Sequence, residues 1–504
     1  MKDKFIIGID IGTQGVKTSL FHISGKIAAE AFEPSILITD NRGNVEQDPE
    51  EIYSSVINTI RQVMEKSGAE PSEIASIGID GQMAGIMGID KNWNAVTPYD
   101  SWLDTKCEKY ILKMKEAAEE QIIKTTGCPV TYAHGPKVLW WKNERPEVYS
   151  NTAKFIMLST YVAGRLAGLK AKDAYIDYTH IHFSGFCDTE KKEWSEELVK
   201  EFRIDNDKLP EIVEPWKVVG KLLSPEAEKC SLAEGTPVVA GCGDQAATSL
   251  GAGIIKQGMV FDVAGTASVF SCCVDSFKPD VKNKTLLFPR AVIDGLWIPL
   301  AYINGGGLCL KWFRDNLAEK ETTYGILDSE TEKIAPGSEG LVFIPHFAGR
   351  VCPNMPNMRG GWFGLNFNHG RGHLFKAVME SIAYEYRIYM DILKELTDEK
   401  EFSHVFVMGG GSQSGIFNKI KADVLGLPYI QLERASTATL GSAIVAGYAS
   451  GIYADMAETA DKMTETGKTF YPDSANREIY RKQGDLYGRY LNLLEKKDEA
   501  DGSF

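Results

Sequence analysis

The sequence predicts an α/β protein built as two large domains, and three observations predict it. The chain has 504 residues, more than one hydrophobic core normally serves. A strand–loop–strand run, Phe5–Phe21, opens the chain, and a second run of the same kind, Gly258–Ser271, lies in the other half. Each pairs two apolar, β-rich stretches across a short Gly-Thr loop, the pattern of a β-hairpin. Amphipathic helical stretches separate and follow the strands, as an α/β architecture requires.

Composition narrows the function classes. Hydrophobic residues make up 43% of the chain and charged residues 25%, the values of an ordinary globular protein. The formal net charge of -14 argues against nucleic acid or an anionic membrane as the main partner. Nine cysteines are scattered with no C-x-x-C pair, which reads as reduced thiols in a cytoplasmic protein. No signal-peptide-like apolar region precedes Asp10, and no apolar run reaches transmembrane length.

In the opening hairpin Asp10 ends the first strand, Gly12, Thr13, Gln14 and Gly15 form the loop, and Lys17 lies on the second strand. Glycine lets the backbone approach a phosphate closely, and its N–H groups bind anions. A carboxylate at that position suits Mg²⁺. The P-loop pattern fails, because Val16 separates Gly15 from Lys17 and a strand follows. An ordinary glycine hairpin is the plain alternative. After a third strand, Ile27–Phe32, comes Asp48-Pro49-Glu50-Glu51, a helix start with Asp48 as N-cap and Glu51 at the capping-box position. Ile52, Val56, Ile60, Val63 and Met64 share one face, and Gly68 closes the helix.

Strand Ile74–Ile79 leads into Asp80-Gly81-Gln82-Met83-Ala84-Gly85. The loop Pro98–Asp104 places Trp102 beside Asp104, a ring and a carboxylate suited to a polyhydroxylated ligand. A packed indole with Asp104 as a helix N-cap fits equally well. A long polar helical region runs from Thr105 to about Thr126. Gly241-Cys242-Gly243-Asp244-Gln245 then follows an apolar strand and opens a small-residue helix, Ala246–Gly253. Asp244 is there either a cap or a base held at a cleft. In the second hairpin Gly265 and Thr266 form the loop, so two Gly-Thr hairpins would hold a nucleotide's phosphates between them. Val405–Met408 reads as a buried strand running into Gly409-Gly410-Gly411-Ser412, which permits close approach to a flat ring. Arg477–Lys497 reads as helix.

In that order these motifs resemble the FGGY family of carbohydrate kinases, of the sugar kinase and actin superfamily. Gly360–Leu365 followed by His373–Glu380 resembles the family's second signature. Gly135–Glu144 resembles its first, with His134 and Trp141 departing from the usual residue types. The likeness extends through Asn304–Phe313, Gly409–Asp423 and Thr439–Ala443, nearly the whole chain. It implies two ribonuclease-H-like (actin-like ATPase) domains, with mixed sheets flanked by helices and the active site in the cleft between them. The expected division is residues 1–246 for the sugar and phosphate side and 247–504 for the nucleotide side.

The resemblance also implies roles. Asp244 would be the catalytic base, and Asp10 and Asp244 would hold Mg²⁺. Gly12, Thr13, Gln14, Lys17, Gly265 and Thr266 would contact phosphates. Gly307 and Lys311 would approach the nucleotide, and Gly410, Gly411 and Ser412 would border the adenosine of ATP. Gln82, Met83, Trp102, Asp104, Asp244 and Gln245 would bind the sugar. Asp244 would need no strongly raised pKa, because the proton moves late in a loose transition state. Gly81–Gly85 is similar to the corresponding xylulose kinase loop except that Ala84 stands for histidine, and Gln245 stands where those kinases usually carry asparagine. A ketopentose such as D-xylulose is the first expectation. Another ketose, a polyol such as glycerol or erythritol, and a sugar acid such as gluconate are the alternatives. A non-catalytic ATP-binding switch protein is the remote one. A homodimer is the default expectation for a soluble enzyme.

Overall fold

The computed structural model describes residues 4–40, 42–397, 401–434 and 436–501. Its first half begins with the antiparallel strands β1 (Phe5–Ile11), β2 (Gly15–His22) and β3 (Ile27–Pro34), then β4 (Val45–Gln47), α1 (Pro49–Ser67), β5 (Ile74–Gly81) and β6 (Tyr99–Asp100). Helices α2 (Glu108–Thr126) and α3 (His134–Glu144) follow, then β7 (Val218–Lys221), β8 (Pro237–Val239), β9 (Cys242–Gly243) and α4 (Asp244–Gly251). The second half uses β10 (Val260–Ala264), β11 (Ser268–Cys272), β12 (Leu300–Ile303), α5 (Gly306–Leu317), α6 (Arg371–Thr397) and β13 (Val405–Met408). It ends with β14 (Tyr429–Leu432), α7 (Thr437–Ala449), β15 (Thr466–Phe470) and α8 (Arg477–Asp501).

Two large sheets carry the architecture, and they share one topology. The first runs β3-β2-β1-β5-β8-β7, with β9 also on β5; the second runs β12-β11-β10-β13-β14-β15. In each, the first two pairings are antiparallel, the next two parallel and the last antiparallel. Both Gly-Thr hairpins therefore occupy the same place in their own sheets, β1–β2 and β10–β11. Alternation explains their stability: Ile7, Ile9, Ile11, Val16 and Leu20 are buried in one core, and Val260, Ala264, Phe270 and Cys272 in another.

Helix α1 forms where its pattern predicts, with Gly68 in the left-handed conformation at φ 66°. The capping box does not form. Asp48 accepts from Glu50 N at 2.9 Å, and Glu51 turns away to accept from Ile36 N at 3.2 Å. Helix α2 starts at Glu108 rather than Thr105, so Asp104 is not its cap.

Helix α7 joins the two halves. It packs on β1, β5 and α4, and two glycines make that approach possible. A Cβ at Gly8 would lie 1.9 Å from the Thr439 carbonyl oxygen, and one at Gly78 would lie 2.1 Å from that of Ser442. The expected division after residue 246 falls inside α4, which packs against α7 at this junction. Among the described residues no helix is long and apolar enough to cross a membrane.

Candidate active site

Three adjacent strand ends bring three carboxylates together. Asp10 of β1 lies opposite Asp80 of the parallel neighbour β5, and Cys242 of β9 lies opposite Asp80 on its other side. Asp244 follows two residues later as the first residue of α4. The carboxyl ends of parallel strands at a crossover are where α/β sheets open to ligands.

The three acids differ in state. Asp80 is fully buried; its Oδ2 accepts from Ser442 Oγ at 2.5 Å and its Oδ1 has no partner. Burial and then the charge of Asp10 push its pKa well above the usual carboxylate range. Burial also raises Asp10, opposed by the neighbouring Asp80 carboxyl and by the charge of Lys17. Asp80 is thus the member of the pair whose ionised form is the more strongly disfavoured. Asp244 is pushed up to about 7, first by burial and then by Asp10, while His180 draws it down. The chemistry does not require this shift; removal from water and a like charge both disfavour the ionised form. Asp244 is also no cap. Gly243 holds that position, and the Asp244 carboxylate accepts from the adjacent Gln245 N at 2.7 Å.

The two glycine loops face each other. Gln14 Nε2 donates to Thr266 Oγ1 across the cleft at 3.3 Å. Gly12 N donates to Gly15 O at 3.0 Å and shapes the first loop; Gly265 N donates to Ala267 O at 3.1 Å in the second. Gly307, in the first turn of α5, packs on that second loop: its Cβ would lie 2.0 Å from Gly265 O, and Leu308 N donates to Thr266 O at 3.0 Å. Gly410 faces open space, Gly411 packs on Ala264, and Ser412 is buried with its hydroxyl on Gly409 O at 2.7 Å. The two lysines are paired with carboxylates. Lys17 is paired with Glu30 at 3.0 Å and donates to Ser436 Oγ at 2.5 Å, and the exposed Lys311 pairs with Asp315 at 2.5 Å.

A cleft of about 450 Å³ opens beside Asp244. Gln82, Met83, Ala84, Trp102 and Gln245 line one wall, and Tyr302 and Asn304 come from the second half. Gln82 and Met83 are buried, and Gln245 Oε1 is buried without a partner. Trp102 Nε1 donates to Thr13 Oγ1 at 2.8 Å, so a residue expected on the sugar joins one expected on the phosphates. Asp104 is the exception. It is fully buried, and its carboxylate accepts from Val45 N at 2.9 Å and Lys106 N at 3.2 Å. Asp104 lies within one buried cluster with Glu46 and Asp100. The ammonium of Lys106 closes that cluster, 2.8 Å from Glu46, 2.7 Å from Asp100 and 3.6 Å from Asp104. Trp141, which departs from the signature, donates to Asp100 at 2.6 Å.

Several residues of the site carry no local sequence signal. Asp80 acts through a neighbouring strand. His180 is fully buried, with Nδ1 2.6 Å from Asp177 Oδ2, and lies near enough to Asp244 to shift it. His182 lines the cleft and is held neutral, its pKa lowered to about 3 by burial. A Thr-His-x-His run after a short strand was the available signal.

Residues 5–251 match the FGGY family of carbohydrate kinases, N-terminal domain, and residues 263–450 match its C-terminal domain. The chain is 29% identical to a xylulose kinase of Bacillus subtilis (strain 168) over 503 residues, covering 99% of each chain. It is 28% identical to a gluconokinase of the same organism over 507 residues, covering 98% of this chain and 96% of the relative. It also superposes on the ligand-bound xylulose kinase from Lactobacillus acidophilus with a TM-score of 0.90, at 25% identity and 98% coverage of both chains. With both domains matched in order and two like sheets meeting at a shared cleft, the chain belongs to the FGGY family of carbohydrate kinases.

Proposed function

We propose that this kinase transfers the γ-phosphoryl group of ATP to a hydroxyl of a small neutral sugar, a ketopentose such as D-xylulose, giving xylulose 5-phosphate. The observation that carries the reading is the position and state of Asp244. Its carboxylate stands at the seam between the sugar-side wall and the glycine loops, and its pKa of about 7 suits a base working near neutrality. Asp244 accepts the proton of the attacking hydroxyl, while Gln82, Trp102 and Gln245 orient the sugar. The loops at Gly12–Gln14 and Gly265–Thr266 direct N–H groups at the phosphates, with the first turn of α5 behind them. Residues 1–246 serve the sugar and phosphate side, and 247–504 the nucleotide side.

The carboxylates fit Mg²⁺. Asp10 and Asp244 crowd negative charge beside an unpartnered Asp80 oxygen, and the nearest lysine, Lys17, is already paired with Glu30. Asp10 and Asp244 would hold the ion, which when bound neutralises charge on the transferring phosphoryl group. Asp80, held toward its neutral form by burial, adds little charge beside Asp10.

The neutral class of the substrate rests on the charge of the cleft. Among the described residues Arg350 is the one arginine or lysine in its wall, and it is engaged by Glu385 and Glu495. Glu108 and Asp244 add negative charge. A sugar acid would enter without a free cation to receive it. All nine cysteines are buried, which supports reduced thiols in a cytoplasmic setting.

The test is sugar-dependent ADP release. The wild type is expected to release ADP with D-xylulose, and Asp244→Asn to fold, bind ATP and lose nearly all turnover. A variant keeping more than about a tenth of wild-type kcat would sink the base assignment.

A further inference from the structure

The geometry points to Gln47 as a positioning residue that sets the first glycine loop and the sugar-side amide Gln82 in one frame. The inference rests on the kinase reading and adds a residue to which no role has been given above.

Gln47 ends the short strand β4 and is fully buried. Its Oε1 accepts from Gln82 Nε2 at 2.6 Å. Its Nε2 donates to Ser35 Oγ at 2.9 Å and lies 3.4 Å from Thr13 O; Ser35 Oγ in turn donates to Thr13 O at 3.0 Å. The amide is thereby fixed in sense, because one end must accept and the other must donate. Gln82 Oε1 then faces the Thr13 hydroxyl at 3.4 Å, which receives the Trp102 indole N–H at 2.8 Å. The same strand carries the Trp102 loop on its backbone. Val45 O accepts from Ser101 N at 2.9 Å, and Gln47 pairs with Tyr99, whose hydroxyl reaches Gln82 O at 3.3 Å.

One side chain and one strand thus hold Thr13, Gln82 and Trp102, residues that serve two different substrates. Gln47 reaches neither substrate. It acts by fixing Gln82 and the Thr13 carbonyl, so the hydroxyl acceptor and the phosphate loop keep one relative position. Displacements of an ångström between reacting groups cost rate rather than affinity.

The test compares Gln47→Met, which keeps chain length and removes the amide, with Gln47→Glu, which keeps an acceptor for Gln82 and loses the donor to Ser35 and Thr13. Kinetics use Mg-ATP with whichever of D-xylulose, glycerol, erythritol and D-gluconate the wild type turns over fastest. Calorimetry with Mg-ADP reads binding separately. Gln47→Met is expected to lower kcat about tenfold or more, with KM for ATP and sugar moving less than about threefold, and Gln47→Glu to recover part of kcat. If the Met variant does not fold, the same split in Gln47→Glu decides. A lowered Tm with kcat per folded molecule within about twofold of wild type makes Gln47 a structural brace and overturns the proposal. A wild type that neither binds Mg-ADP nor responds to any sugar overturns the kinase reading first, and the proposal with it.

Discussion

Asp244→Asn has a consequence for stability that is separable from catalysis. The folded protein holds Asp244 at about 7, against an ordinary value of 3.8. Between those values the folded state retains a proton that the unfolded chain has lost, so raising the pH through that interval destabilises the fold. At about 1.4 kcal/mol per unit, the three-unit gap sets a ceiling of about 4 kcal/mol, reached above pH 7 and absent below pH 4. Asparagine does not ionise, so the variant escapes this cost. Thermal unfolding of the ligand-free proteins is expected to show the variant more stable than wild type at pH 8. At pH 5 roughly 1.6 kcal/mol of the ceiling remains, so the advantage shrinks. Mg²⁺ is expected to narrow it at pH 8, since the ion stabilises the ionised carboxylates of the wild type. Equal stabilities at pH 8, or a difference that does not change with pH, would refute burial and the charge of Asp10 as the source of a raised Asp244 pKa.

Trp102→Phe keeps a ring against the cleft and removes the donor to Thr13. Loss of one hydrogen bond of about 1 kcal/mol predicts a roughly fivefold fall in kcat/KM in steady-state assays, and an unchanged value would mean the Trp102–Thr13 bond is idle. Lys106→Met leaves the buried Asp100 and Asp104, and the partly buried Glu46, without their cation, and a loss of about 3–5 kcal/mol is expected in chemical denaturation; a variant as stable as wild type would show that the cluster carries no net charge. Asp100 is already raised to about 6, first by burial, with Lys106 the largest opposing influence.

What could be read from the sequence was local. Alternation gave away the two hairpins, and the Gly-x-Gly-Asp turn drew attention to Asp244, because turn chemistry and strand period are short-range properties. The shared topology of the two sheets is not a sequence repeat and is visible only in the pairing. Asp80 stood in plain view after its strand, but its meaning depends on Asp10, its register partner on a strand distant in sequence. Lys17 stands opposite Asp10 beside the glycine loop, but its partners Glu30 on the adjacent strand and Ser436 from the other half could not be read from the sequence. Asp104 looked like a sugar ligand or a cap beside Trp102. Lys106, two residues on, draws it into a buried charge cluster instead. Gln47 carries no signal of its own in the sequence, since its partners Gln82, Ser35 and Thr13 converge only on folding.

The most direct measurement is ADP release with Mg-ATP across ketopentoses, polyols and sugar acids, each against a sugar-free control. The proposed function predicts that one neutral sugar, D-xylulose first, exceeds the control and all sugar acids by orders of magnitude in kcat/KM. D-gluconate as the best substrate would contradict the reading of the cleft's charge, and ADP release indifferent to every sugar would contradict sugar phosphorylation itself.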